Sequence, residues 1–400
     1  MNQLIHRIRD AFVSIRTSQP GVSFEDAASQ CLESHRLDIV AAMKDFFPWL
    51  ISQERLPKQL YPQPTFSDLP VSLAYDEKHQ FCIDVYVWRH SDTSVHDHGF
   101  HGAFMVVGGN SLQTTYSFDT QEVIEGNRLE IGERAILQNT LLKVGEIVRI
   151  EPEKRFIHSV IHLTKPTLTF IIRSTNSVIP LKQYAYHSLY RNRGGFFMEH
   201  VEKRIQVMKY MLATDATFDH RAIFKDTKAD DFVRLLHAYY ALTRSKAKVL
   251  DIVESYASKH GEWLQVVMKS IQLDEWDERM ELPKITEEPE LLLAALLTRG
   301  KNFAEIQRLM GELGTAYSNP DFIFQSLRKI CTEEISRMNM PEIGFDMLPM
   351  IVNKTEGDDE RFLRELSENG WHATIAEQKQ DILKLKHQIQ TALLFKSLLH

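Results

Sequence analysis

Apolar and polar positions along this chain fall into three successive textures. Residues 1–60 repeat apolar positions at helical spacing, with Ser23 placed as an N-cap and Asp26 three residues on, ahead of AASQCLESH. A second helical segment, LDIVAAMKDFFPWLI, follows, and the prolines of YPQPTFSDLP end the pattern. From about Val71 to Ser174 the chain turns to short runs rich in β-branched and aromatic residues: FCIDVYVW, GAFMVVGG, SLQTTYSF, EIVRI, FIHSVIHL and TLTFIIRS. Six or more such strands in about a hundred residues predict an antiparallel barrel or sandwich. From Tyr184 onward the pattern is helical almost to the end.

The helical half contains an echo. Leu236–Lys246 and Leu291–Lys301 align at a spacing of 55 and share Leu-Thr-Arg-x-Lys. Two readings stand side by side: related helical hairpins stacked as in an α-solenoid, or a coincidence between two amphipathic helices. The segment IAEQKQDILKLKHQIQTALLFKSLL predicts a terminal helix that packs on the rest of the chain or on a second copy. The acidic run GDDERF at Gly357–Phe362 reads as a helix start with Asp358 as its cap, since acidic side chains suit the N-terminal end of the helix dipole. The expected class is α+β and multidomain. N-terminal helices (1–60) pack on an antiparallel β-barrel (61–183), and an all-α domain (184–400) follows.

Composition narrows the function. A chain of 400 residues with 43% hydrophobic and 25% charged residues is an ordinary globular protein. A net charge of -7 lacks the dominant basic face of a nucleic-acid binder, so no nucleic-acid partner is expected. No run approaches the roughly 20 apolar residues that span a bilayer, and the N-terminus has no apolar secretion signal. Cys31, Cys82 and Cys331 are few, odd in number and far apart, which points to a reducing compartment and a cytoplasmic location.

The chemistry concentrates in SVHDHGFHGAFMVVGGN and RFIHSVIHLTKP. His96 and His98, two apart, share one face of a strand; His158 lies on another predicted strand, and His162, four residues on, shares its face. Imidazoles converging in the mouth of a small barrel build a mononuclear metal site with positions left for substrate. His101 is out of phase with His98 and is expected to face outward.

The segment WRHSDTSVHDHG, with the apolar strand and GGN after it, resembles the first cupin motif, and GEIVRIEPEKRFIHSVIH resembles the second. Within the cupins the pattern is most similar to the thiol dioxygenases, the cysteine and 3-mercaptopropionate dioxygenase group, over about residues 65–180. The resemblance implies a cupin-type barrel and a metal held by His96, His98 and His158. Where many cupins add a glutamate, this chain has Gly102 and Ala103, so the implied ligand set is three neutral histidines. The thiol dioxygenases hold the substrate carboxylate with an arginine on an early strand, and SLAYDEKHQF has none. Their Ser-x-His-x-Tyr pattern is replaced by Thr169, Ile171 and Arg173. Arg173 is therefore the candidate anchor for a carboxylate or phosphate, and His162 a candidate partner that orients a ligand or touches substrate.

The implied activity is that of an iron(II) oxygenase acting with O2 on a small, anionic or thiol-containing molecule, or on a peptide admitted by the helical half. Another divalent metal is compatible with the same donors. The helical half is also the expected surface for any homodimer. Two other readings remain: a non-oxidative metal-cupin isomerase, lyase or hydrolase, and a ligand-binding cupin joined to a helical protein-interaction domain.

Overall fold

The computed structural model of the chain describes residues 1–60, 67–89, 93–124, 129–175, 183–193, 199–214, 219–243, 245–279, 285–330, 359–366, 379–384 and 386–387. The six strand-like runs become β2 (Phe81–Trp88), β3 (Gly102–Gly108), β4 (Ser111–Ile124), β6 (Ile147–Ile150), β7 (Ile157–His162) and β8 (Thr167–Ser174), and β1 (Leu69–Asp76) and β5 (Leu129–Leu142) form outside those runs. Two further strands, β9 (Tyr184–Tyr186) and β10 (Tyr190–Arg193), lie where helical texture was expected to begin. They are a correction to that reading, and they pair with each other and with β5.

The strands form two antiparallel five-stranded sheets, ordered β1-β2-β8-β3-β6 and β7-β4-β5-β10-β9. The expected barrel is an open pair of sheets here, with no closed barrel among the described residues.

Alternation on β2 explains the layering. Phe81, Ile83, Val85 and Val87 face one way, into a core shared with α1 (Asn2–Ser18), α2 (Phe24–Ser34) and α3 (Arg36–Met43); Ile8, Phe12, Ala28, Leu32 and Ile39 supply its helical side. The intervening Cys82, Asp84, Tyr86 and Trp88 face the interior. There Tyr86, Phe104, Val106 and Ile171 form a second cluster. Both faces are covered, so β2 is buried along nearly its whole length. Ser23 caps α2 as its spacing predicts: its Oγ accepts from Asp26 N at 3.1 Å and donates to Asp26 Oδ2 at 2.8 Å.

Contacts divide the chain into two units, Met1–Gln138 with Leu142–Glu275, and Asn139–Leu141 with Trp276–His400. In the first, Leu129, Ile131 and Tyr190 share a core with α5 (Glu199–Thr214), α6 (Ala229–Thr243), α7 (Lys246–His260) and α8 (Trp263–Arg279). The second includes α9 (Glu288–Arg299), α10 (Phe303–Leu313), α11 (Pro320–Ile330) and α12 (Asp359–Leu366). The echoing segments end α6 and α9 and fall in different units. Asp358 and Cys331 lie outside the described residues, as does most of the segment expected to form the terminal helix. Among the described residues no helix is long and apolar enough to cross a membrane.

Candidate metal centre

The HDHG segment is held as extended backbone between β7 and β9. His96 N donates to His158 O and His158 N to His96 O, both at 2.9 Å; Tyr186 N donates to Val95 O at 2.8 Å and Asp97 N to Tyr184 O at 3.1 Å. Extended geometry sends residues 96 and 98 to one side and 97 to the other. Asp97 accordingly points away: it accepts from Tyr184 N at 2.6 Å and from the Tyr186 hydroxyl at 2.8 Å. Burial pushes its carboxyl up to about 6, against the pull of those donors and of Arg191.

The same register sets His158 across from His96, and one donor atom from each of His96, His98 and His158 lies within 4.8 Å of the others. Ser94 O, which can only accept, lies 2.7 Å from His96 Nδ1. That fixes the proton on Nδ1 and leaves Nε2 with its lone pair. His98 Nε2 and His158 Nε2 are 2.9 Å apart. Without a cation a proton must sit between two such nitrogens. Two ligands at right angles around an ion, each at about 2.1 Å, stand about 3 Å apart, so the pair fits a shared metal. Gln113 Oε1 lies 3.4 Å from His158 Nδ1, on the ring's far side. Burial holds His98 and His158 well below the usual imidazole range, with further depression from neighbouring imidazoles; burial also lowers His96, against the Ser94 carbonyl. All three rings are neutral donors at pH 7.

The missing glutamate has a steric cause. A Cβ on Gly102 would stand 2.5 Å from Ile172 O, because β3 runs tightly against β8, and Ala103 faces the helices. A side chain at Gly102 would have to displace β8, and a longer one at Ala103 would enter the helical core and not the histidine cluster.

Aromatic rings enclose the site. Phe156 lies 4.5 Å from His158, Phe100 4.8 Å from His98 and Phe104 6.4 Å from His158, between ring centroids. His98 and His158 are buried, whereas His96, Phe100 and Phe156 are part-exposed, which marks the open side.

The other expected residues have partners of their own, although Arg173 lies close enough to His98 for its charge to help hold that imidazole down. His162 is buried four positions, about 13 Å, along β7 from His158. Its Nδ1 is 3.0 Å from Ser111 Oγ, its ring stacks on Trp88 at 4.5 Å, and its Nε2 has no hydrogen-bond partner. Burial pulls it down to about 3. Arg173 points inward as its parity predicts, but its Nε donates to Asp84 Oδ2 at 2.9 Å and to the Tyr86 hydroxyl at 3.0 Å, with Phe100 stacked 5.4 Å from its Cζ. The candidate anchor is thus engaged in a buried ion pair. His101 turns outward and meets the buried Glu25 at 2.9 Å. Thr169 accepts the Trp88 indole N–H at 3.1 Å.

Asp84 and the three phenylalanines were not among the residues expected at the site. Asp84 had a signal: a single carboxylate in an otherwise apolar strand needs a buried partner. The phenylalanines had none, because aromatic residues on strands usually pack.

No family model matches the chain, and no curated protein matches it. Solved structures with some likeness include DMSP lyases (18% identity, 27% of this chain and 48% of that chain, TM-score 0.19). Others are a hydroquinone 1,2-dioxygenase with Cd2+ (13%, 28% and 64%, TM-score 0.20) and a cupin-superfamily sugar phosphate isomerase of Silicibacter pomeroyi (16%, 35% and 79%, TM-score 0.22). The chain spans about half of the lyase and under two thirds of the dioxygenase. At these scores the likenesses bear on neither family nor activity.

Proposed function

We propose that this chain is a mononuclear metal enzyme of the cupin type, an iron(II) oxygenase acting with O2 on a small anionic or thiol-bearing substrate. The observation behind this reading is the convergence of three neutral imidazoles, His96, His98 and His158, at the part-exposed edge of an aromatic-lined interior. These three residues would hold the ion. When bound, it supplies electron transfer to oxygen and a Lewis-acid position for a substrate donor atom.

The chain's own groups orient and shield the site. Ser94 O fixes the His96 ring by holding its Nδ1 proton. The backbone pair between His96 and His158 locks the two ligand strands in register. Phe100, Phe104 and Phe156 line the imidazoles with apolar surface. No carboxylate enters the ligand set, so the cation's charge is left to attract an anionic donor. Arg173, neutralised by Asp84, serves the interior as a fixed ion pair.

The test is oxygen consumption by iron-loaded wild type across a panel of thiols and small carboxylates, beside His158→Ala. Uptake that needs iron, a substrate and His158 is the expected result. Zinc, manganese or nickel held in preference to iron, with no uptake on any substrate, would redirect the reading to a non-oxidative isomerase, lyase or hydrolase.

A further inference from the structure

We infer that the ligand received by this centre is a monoanion with an aromatic or branched apolar body directly beside its metal-binding donor atom. The inference rests on the metal-centre reading above and names the class of molecule that the site selects. Three observations lead to it.

The first is the rim. Phe100 and Phe156 lie within 5 Å of His98 and His158, between ring centroids, and both stay part-exposed at the edge of the centre. Apolar rings left accessible beside buried imidazoles are surface that a ligand body can cover. The second is the fate of the interior cation. Arg173 Nε is taken by Asp84 and Tyr86, and the side chains of Arg173 and Asp84 are 6% and 1% exposed. The pair is neutral overall, so the site gains no net charge from it to balance a second anionic group on a ligand. The third is the ligand set: three neutral imidazoles leave a divalent ion its double positive charge, which draws an anionic donor atom. A dianion or a zwitterionic amino acid would set its second charged group against phenylalanine, at the cost of desolvating it. A monoanion with a hydrocarbon body does not.

The test uses the full chain loaded with cobalt(II), whose visible spectrum reports a change in coordination. Acetate, benzoate, malonate and azide are titrated into wild type and into Phe100→Ala/Phe156→Ala. In wild type, benzoate should bind about tenfold or more tightly than acetate, the gain from covering its ring at about 25 cal/mol per Å². Malonate should bind more weakly than benzoate. In the double variant, benzoate should fall to within about threefold of acetate, while azide, too small to use the rim, is unchanged and metal content stays at the wild-type level.

Wild-type protein that holds cobalt and binds azide but prefers malonate, or shows no preference for benzoate over acetate, overturns the inference and leaves the metal centre standing. Wild-type protein that takes up no cobalt overturns both. The wild-type comparison decides the matter even if the variant is poorly folded.

Discussion

Asp84→Leu isolates the interior ion pair. Arg173 and Asp84 have side-chain exposures of 6% and 1%, and Nε and Oδ2 meet at 2.9 Å. Asp84 Oδ2 also accepts from the Tyr86 hydroxyl at 3.1 Å and from Cys82 Sγ at 3.3 Å. Removing the carboxylate leaves a guanidinium in the interior without its counter-charge, at a cost of about 3–5 kcal/mol. For a cooperative unit of this size each kcal/mol moves Tm by about 2–4 °C, so thermal unfolding at pH 7.5 should fall by about 6–20 °C. Removing both charges in Asp84→Leu/Arg173→Met should recover most of the loss, since a well-packed apolar pair often matches a buried ion pair. Differential scanning fluorimetry on the three proteins is sufficient. A single variant within about 2 °C of wild type, or a double variant no better than the single, would refute the structural role given to the pair.

Two further perturbations follow from the same interior. His162 is pulled down to about 3 by burial, whereas an unfolded histidine titrates near 6.5, so the unfolded chain takes up the proton first. The stability is therefore fully present above about pH 6.5 and is lost as pH falls, by about 2 kcal/mol at pH 5 from this residue alone. Metal-free His162→Phe should lose less Tm than metal-free wild type between pH 7.5 and 5.0; equal losses would contradict the assignment. At Gly102 the added Cβ of Ala meets Ile172 O at 2.5 Å, so Gly102→Ala should cost about 1–3 kcal/mol. Gly102→Glu should destabilise further without tightening metal binding, and a gain in metal affinity measured by chelator competition would show that the carboxylate can reach the ion.

Much of this was legible in the residues. β2 and β8 coincide with FCIDVYVW and TLTFIIRS because both runs are dense in β-branched and aromatic residues. The two-residue spacing of His96 and His98 predicts their common side, and parity predicts that Asp97 and His101 turn away. β5 was missed because LEIGERAILQNTLL mixes apolar and polar residues without strict alternation, and β9 and β10 because they are only three and four residues long. A short strand gives no period to read, and its pairing is decided by distant partners such as Leu129–Ile131. The parity of Arg173 placed it inside, but parity carries no information about its partner. Asp84 lies 89 positions away, and only the β2–β8 register brings the two together. His162 likewise shares a face with His158, and shared parity left the distance along the strand out of account.

His96, His98 and His158 are proposed to hold one metal ion. Protein purified without oxygen, supplied with iron(II), desalted and analysed for metals beside His158→Ala tests it most directly. Close to one iron per chain is expected in wild type, with a near-complete loss in the variant. Equal metal content in the two proteins, or none in wild type with any divalent ion supplied, would contradict that expectation.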